Sequence, residues 1–358
     1  MSERPIALPS PGAHGGDGAR VGAALGIDVA DVLDLSASLN PAAPDPGPIL
    51  ARHLDALGRY PDPARATAAL AERLGVDAEC LLLTNGGAEA IALVGTILGG
   101  TVDEPDFSLY PRTGPPRSEH GIERRGTPPV SEPLAGADPT VPSPPPSAGG
   151  PSLAQHRRTP TGLFDAPPRW RSNPHSPSGL LADTADTAGV WDEAFWPMAT
   201  GTWTRGDHRN DSVVVGSLTK LLACPGLRVG YLLAPESDEG ERLLAAARTA
   251  QPGWSVGGLV CEALPDLLDT VDLPAWSHEI GCLRLELVDL LGAFGHQAEA
   301  ADAPWVLVPD AGDLRDRLAP HGIVVRDCTS FGLPGTVRIA VPSDQDRPRL
   351  GAALGAIS

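Results

Sequence analysis

The chain has 358 residues, 42% of them hydrophobic, a mean hydropathy of −0.06 and a formal charge of −18. That size allows a large buried core with a second, smaller unit, and the negative field disfavours nucleic acid and anionic membranes as partners. No apolar run approaches the roughly 20 residues of a membrane helix, the N-terminal residues lack the basic and apolar regions of a secretory signal, and five scattered cysteines without CxxC spacing fit a reducing cytoplasm.

From Gly47 to Gly75 the apolar spacing is helical, interrupted at Arg59-Tyr-Pro-Asp-Pro63. Cys80–Thr84 predicts a short buried strand and Gly87–Leu98 the helix after it, the opening of an α/β sheet. Fifteen prolines fall between Pro111 and Pro168. Prolines remove backbone donors and block helix and central strand, so residues 113–168 predict an extended surface insertion, with a lid over the site as an alternative. Short strands are expected at Gly189–Asp192, Ser212–Gly216 and Val229–Ala234. After Pro235 come helices at about 239–250, 256–270 and 278–294, then strands at Trp305–Val308, Ile323–Arg326 and Val337–Val341, and a closing helix from Gln345. That order describes a smaller α+β unit.

Lys220 is the only lysine, against 26 arginines. A guanidinium is no nucleophile, whereas a deprotonated lysine amine is, and can form a Schiff base. An arginine-rich composition must leave its few lysines somewhere, so Lys220 gains meaning from its neighbours. Asp192 ends an apolar strand, at the usual ligand rim of an α/β sheet. Asn85-Gly-Gly-Ala-Glu89 joins a strand to a helix, so the N–H groups of Gly86, Gly87 and Ala88 can point at an anion. The Ser217 and Thr219 hydroxyls and the Arg228 guanidinium can add charge-assisted bonds to it. Phe107, in Pro105-Asp-Phe-Ser-Leu-Tyr110, can stack on a flat ring. Each also has an ordinary structural reading: a Gly-Gly turn, an aspartate capping a turn, a core phenylalanine.

In this order the residues, with His14-Gly-Gly-Asp17, Asp34-Leu-Ser-Ala-Ser-Leu-Asn-Pro41, Arg59-Tyr-Pro-Asp62, Val325-Arg-Asp-Cys-Thr-Ser-Phe-Gly332 and Val337-Arg-Ile339, resemble the fold type I pyridoxal-phosphate enzymes of the class I/II aminotransferase family. The pattern is most similar to cobalamin-pathway threonine-phosphate decarboxylases and their histidinol-phosphate aminotransferase relatives, and it covers nearly the whole chain except about 113–168. The resemblance implies a three-layer, mainly parallel α/β sheet with a smaller α+β domain. Residues 1–45 would be an arm contributing to the small domain, 46–235 the cofactor-binding domain and 236–358 the small domain. It implies pyridoxal 5'-phosphate on Lys220, Asp192 facing the pyridine nitrogen, and the cofactor phosphate held by Gly86, Gly87, Ala88, Ser217, Thr219 and Arg228. Tyr60 would reach that phosphate across a homodimer interface.

For the substrate the resemblance implies Arg338 on an α-carboxylate with Asn40 nearby, and Arg326 and His14 on the distal phosphate of a phosphorylated amino acid; it implies no metal. Two departures stand out. The family's Asn-Pro-Asn-Asn-Pro-Thr-Gly is here Asn173-Pro-His-Ser-Pro-Ser-Gly179, so Ser176 stands where an asparagine hydrogen-bonds the cofactor's 3-oxygen, and Phe195 stands where many members have a tyrosine with the same role. Three activities remain open: decarboxylation of L-threonine O-3-phosphate, transamination of an amino-alcohol or amino-acid phosphate, and cofactor binding without turnover.

Overall fold

The computed structural model describes residues 8–12, 14–112 and 164–358. Of the expected insertion at 113–168, residues 113–163 lie outside the described residues, so neither the surface-insertion reading nor the lid reading falls on them. The strands among the described residues are, in chain order, β1 (Leu33–Asp34), β2 (Leu81–Asn85), β3 (Thr101–Val102), β4 (Arg169–Ser172), β5 (Val190–Asp192), β6 (Val213–Ser217), β7 (Val229–Leu233), β8 (Glu299–Ala300), β9 (Trp305–Val308), β10 (Ile323–Val324), β11 (Arg326–Asp327) and β12 (Val337–Ala340).

The main sheet has the order β2-β7-β6-β5-β4-β3. Neighbours from β3 to β6 are parallel, while β7 runs antiparallel to both β2 and β6. Residues 218–228 are too few for a crossover helix, so the chain leaves β6 and folds straight back as β7. β6 and β7 are apolar and buried along their whole length, as strands covered on both faces must be. Alternation divides their side chains: Val213 and Val215 pack with the helices Gly86–Leu98 and Asp238–Ala250, and Val214 packs with Ala64–Leu74 and Gly258–Leu268. The result is helix–sheet–helix, the three-layer fold expected, with one reversed strand.

A second core lies around the antiparallel sheet β11-β12-β9-β8 and the helix Arg347–Ile357. β1 pairs parallel with β10 through Leu33 and Ile323, which attaches the N-terminal residues to this C-terminal core. The two apolar clusters do not part at 235/236. Leu243, Leu264 and Leu268 belong to the main-sheet layers, and the change comes within the helix Leu273–Ala293. Trp276 and Ile280 face the first core, and Leu283, Leu287 and Leu291 face the second. Among the described residues no helix is long and apolar enough to cross a membrane, and no group of His, Cys, Asp or Glu side chains is placed to hold a metal.

Candidate active site

β5 and β6 are parallel neighbours, so their C-terminal ends open on one rim. Asp192 closes β5. Its Oδ1 accepts the Ala194 N–H at 2.9 Å and its Oδ2 accepts the Tyr110 hydroxyl at 2.8 Å. Burial pushes the Asp192 carboxyl above its usual range, against those two bonds and the Lys220 charge. Lys220 stands in the short helix Leu218–Leu221 directly after β6. Burial lowers its amine from the usual 10.5; Asp192 opposes the shift, and the Arg338 and Arg228 charges reinforce it. The site therefore drives a lysine amine toward its neutral, nucleophilic form. Asn40 fastens this turn: its N–H donates to the Lys220 carbonyl at 3.0 Å and its Nδ2 to the Leu221 carbonyl at 2.9 Å. Its Oδ1 accepts the Ala42 N–H, so both ends of the Asn40 amide are engaged by backbone.

Gly86, Gly87 and Ala88 open the helix Gly86–Leu98, where first-turn N–H groups have no partner within the helix. Gly86 has φ +72°, and a Cβ there would come within 2.6 Å of Arg228 Nη2. A Cβ on Gly87 would sit 3.2 Å from Ser217 Cβ. The Ser217 and Thr219 hydroxyls lie 2.7 Å apart, and Arg228 Nη2 donates to the Asn85 carbonyl at 3.4 Å. Backbone N–H groups, two hydroxyls and a guanidinium thus ring a space that side chains at either glycine would fill. That donor set suits a phosphate.

Arg326 and Arg338 face each other as direct partners on β11 and β12, both are buried, and the Arg338 charge reaches Lys220. Arg338 rests 4.6 Å above the Trp305 ring, its Nε is buried without a hydrogen-bond partner, and among the described residues it makes no ion pair. Burial, with the Arg326 charge beside it, pulls its guanidinium down to about 9. Arg326 lies 4.4 Å over Phe331. His14 stands 5.4 Å from the Phe107 ring, and burial, then the Arg326 and Lys220 charges, lower its pKa. The residues separated most widely in the chain thus gather around Lys220.

The remaining expected residues divide. Ser176 is buried, its N–H bonded to Ser172 Oγ at 2.7 Å, and Phe195 presents its ring 5.1 Å from Lys220 Nζ. Asn173 is buried, its Oδ1 accepts from Ala182 N–H, and its Nδ2 has no hydrogen-bond partner. Tyr60 stands apart, 79% exposed, with its ring tilted against Trp254 at 4.6 Å. Two residues escaped the sequence reading. Tyr110 bonds Asp192, and Trp305 supports Arg338 while its indole N–H donates to the Pro177 carbonyl at 2.9 Å. The available signal was that a buried Tyr or Trp needs a polar partner, and Tyr110 lies three residues after Phe107 in the same segment.

A lysine at the mouth of β6, a carboxylate at the end of β5 and donor groups gathered on the β2–helix turn stand on a fold of the type I class of pyridoxal-phosphate proteins. The profile of the aminotransferase class I and II family matches residues 172–357, and the chain belongs to that family, as an enzyme of the aminotransferase or decarboxylase type. It is 28% identical to the histidinol-phosphate aminotransferase of Halorubrum lacusprofundi, over 95% of this chain and 93% of that protein. Its fold is similar to that of the Sinorhizobium meliloti histidinol-phosphate aminotransferase in complex with pyridoxal-5'-phosphate, at TM-score 0.67 and 16% identity, covering 100% of this chain and 98% of the other. It is also similar to that of L-threonine-O-3-phosphate decarboxylase from Porphyromonas gingivalis, at TM-score 0.60 and 19% identity, covering 87% and 94%.

Proposed function

We propose that this protein is a pyridoxal-phosphate-dependent aminotransferase acting on a phosphorylated amino compound of the histidinol-phosphate kind. The observation that carries the reading is the pair of buried guanidiniums, Arg326 and Arg338, standing opposite each other on the Lys220 side of the site. Arg338, desolvated and with its Nε unpartnered, favours a compact anion, and a phosphate or carboxylate would offer oxygens to it and to Arg326 beside it. The relatives that span nearly the whole chain at 26–28% identity carry the name histidinol-phosphate aminotransferase.

When bound, pyridoxal phosphate supplies an aldehyde that takes an amine and a ring that withdraws electrons from the bonds at the substrate's Cα. This chain's own residues do the rest. Gly86, Gly87, Ala88, Ser217, Thr219 and Arg228 would hold the phosphate, Asp192 would keep a negative charge against the ring nitrogen, and Phe107 would cover a ring face. Asn173 and Ser176 follow the end of β4 and would lie against the cofactor, with Ser176 and Phe195 in the places of the lost asparagine and tyrosine donors. Lys220 would hold and move a proton at Nζ, an office its lowered pKa suits. Asn40 would keep the Lys220 turn in place, and Arg326, Arg338 and His14 would orient the substrate's anionic groups. Tyr60, exposed on its own protomer, would serve the cradle of a second copy in a homodimer. The N-terminal arm and residues after the middle of Leu273–Ala293 would form the small domain, and the protein would work in the cytoplasm.

Decarboxylation of threonine phosphate is the second reading, supported by the fold shared with L-threonine-O-3-phosphate decarboxylase from Porphyromonas gingivalis. The test is borohydride reduction of protein loaded with pyridoxal phosphate, with mass analysis of the peptide containing Lys220. Amino-group transfer from histidinol phosphate to a 2-oxo acid is then compared with CO2 release from threonine phosphate. The proposal expects the adduct on Lys220, its absence in Lys220→Arg, and transfer without CO2; no adduct on the parent protein defeats it.

A further inference from the structure

We propose that Tyr110 is a positioning residue that holds the Asp192 carboxylate and the Phe107 ring at once, so that the carboxylate and the aromatic face offered to a pyridine ring both depend on one buried phenol. The proposal rests on the cofactor reading above. Tyr110 is 3% exposed, and its hydroxyl donates to Asp192 Oδ2 at 2.8 Å. Its ring meets Phe107 edge-on at 5.6 Å and 71°, and stacks on Trp170 at 5.4 Å and 29°. The segment is pinned to β4: Asp106 accepts the Ser172 hydroxyl at 2.5 Å, the Ser172 N–H at 3.1 Å and the Phe107 N–H at 2.7 Å. The phenol is therefore fixed at both ends, by packing and by a hydrogen bond.

A packing role alone would be met by phenylalanine, so the hydroxyl is what separates the readings. Burial, then the Asp192 and Asp106 charges, raise the Tyr110 pKa well above 10, so the hydroxyl keeps its proton and remains a donor. Asp192 is also faced by Lys220 from the turn after β6, by Tyr231 from β7 and by the Ala194 N–H of its own segment. Of these, the bonds from Tyr110 and Ala194 and the charge of Lys220 favour the ionised carboxylate against burial. A neutral donor on a desolvated carboxylate stabilises its charge, and without it the group favours its proton and ceases to be a counter-charge.

The test uses the protein without added cofactor and then loaded. In the first state the infrared carboxylic-acid band of protonated Asp192, identified by its loss in Asp192→Asn, is titrated with pH. In Tyr110→Phe the midpoint should rise; with 3-fluorotyrosine placed at 110, a stronger donor, it should fall. In the second state Tyr110→Phe should retain pyridoxal phosphate about tenfold less tightly, the loss of one charge-assisted bond. Should Tyr110→Phe not fold, the fluorotyrosine protein decides alone. A midpoint unchanged in the variant that folds overturns the proposal. A parent protein that forms no borohydride-trapped adduct on Lys220 overturns the cofactor reading instead, and leaves the Asp192 titration standing as a separate result.

Discussion

Replacing Arg338 by methionine should make the protein more stable and worse at holding its substrate. Arg338 is 4% exposed and its Nε lacks a partner. Its displacement from the ordinary guanidinium range down to about 9 corresponds to roughly 5 kcal/mol of desolvation and repulsion from Arg326, an upper bound. The contact with Trp305 at 4.6 Å returns about 1–2 kcal/mol of that. Apolar replacements of buried ions are commonly neutral or stabilising by about 1–4 kcal/mol. We therefore expect Arg338→Met to gain about 1–3 kcal/mol, read from the denaturant midpoint at unchanged slope. The sign with pH follows. The folded value lies below the unfolded one, so the unfolded state binds more protons and the penalty is complete below about 9. It is relieved as pH rises from there toward the ordinary guanidinium range, and the stability gap between variant and parent should narrow across that window. Histidinol phosphate should raise the thermal midpoint of the loaded parent and not of the variant. Loss of more than about 1 kcal/mol on substitution would refute the reasoning, because it would mean that the charge is already satisfied within the fold.

Two further outcomes follow from the same geometry. Gly86→Ala places a Cβ at φ +72° and 2.6 Å from Arg228 Nη2, so stability should fall by about 1 kcal/mol and pyridoxal-phosphate retention should fall with it; equilibrium unfolding and dialysis check the two effects. The amine of Lys220, the chain's single lysine, should react with formaldehyde and borohydride with a pH midpoint below 10.5, because burial lowers its pKa. By the same sign, the charged amine costs stability below its folded value, and the advantage of Lys220→Met should fade as pH rises toward 10.5.

The strands that carry the chemistry were legible because their faces are unmistakable. β5 and β6 are short apolar runs ending in Asp192 and Ser217, and parallel pairing brings those ends to one rim whatever the loops do. The two-residue strands β1, β3 and β8 are too short to show any alternation. β4 reads as polar, Arg169-Trp-Arg-Ser172, yet it is a strand: Trp170 and Ser172 turn inward, and Arg169 and Arg171 turn outward onto Asp186. The changeover between the two apolar cores is hidden in the sequence for a related reason. Leu273–Ala293 is one unbroken helix, and nothing in its apolar spacing marks where Ile280 serves one cluster and Leu283 the next.

The site residues divide by how far their partners lie along the chain. Lys220, Arg228 and the Gly86–Ala88 turn each carry a local hint of chemistry, weak separately and specific only when taken together in chain order. Tyr110 and Trp305 act through contacts with Asp192 and Arg338, and their chemistry exists only once β5 and β12 are in place. Asn40 shows the opposite difficulty. Its position in a recognisable segment suggested a substrate ligand, but the fold engages both ends of its amide on backbone, at Leu221 and Ala42. Those bonds, each worth about 1 kcal/mol net, fix the amide's orientation and leave only its second N–H and second lone pair for a substrate. The same reasoning points the other way for Arg338, whose Nε is buried without a partner, and it is this contrast that directs the search for a bound anion to β11 and β12.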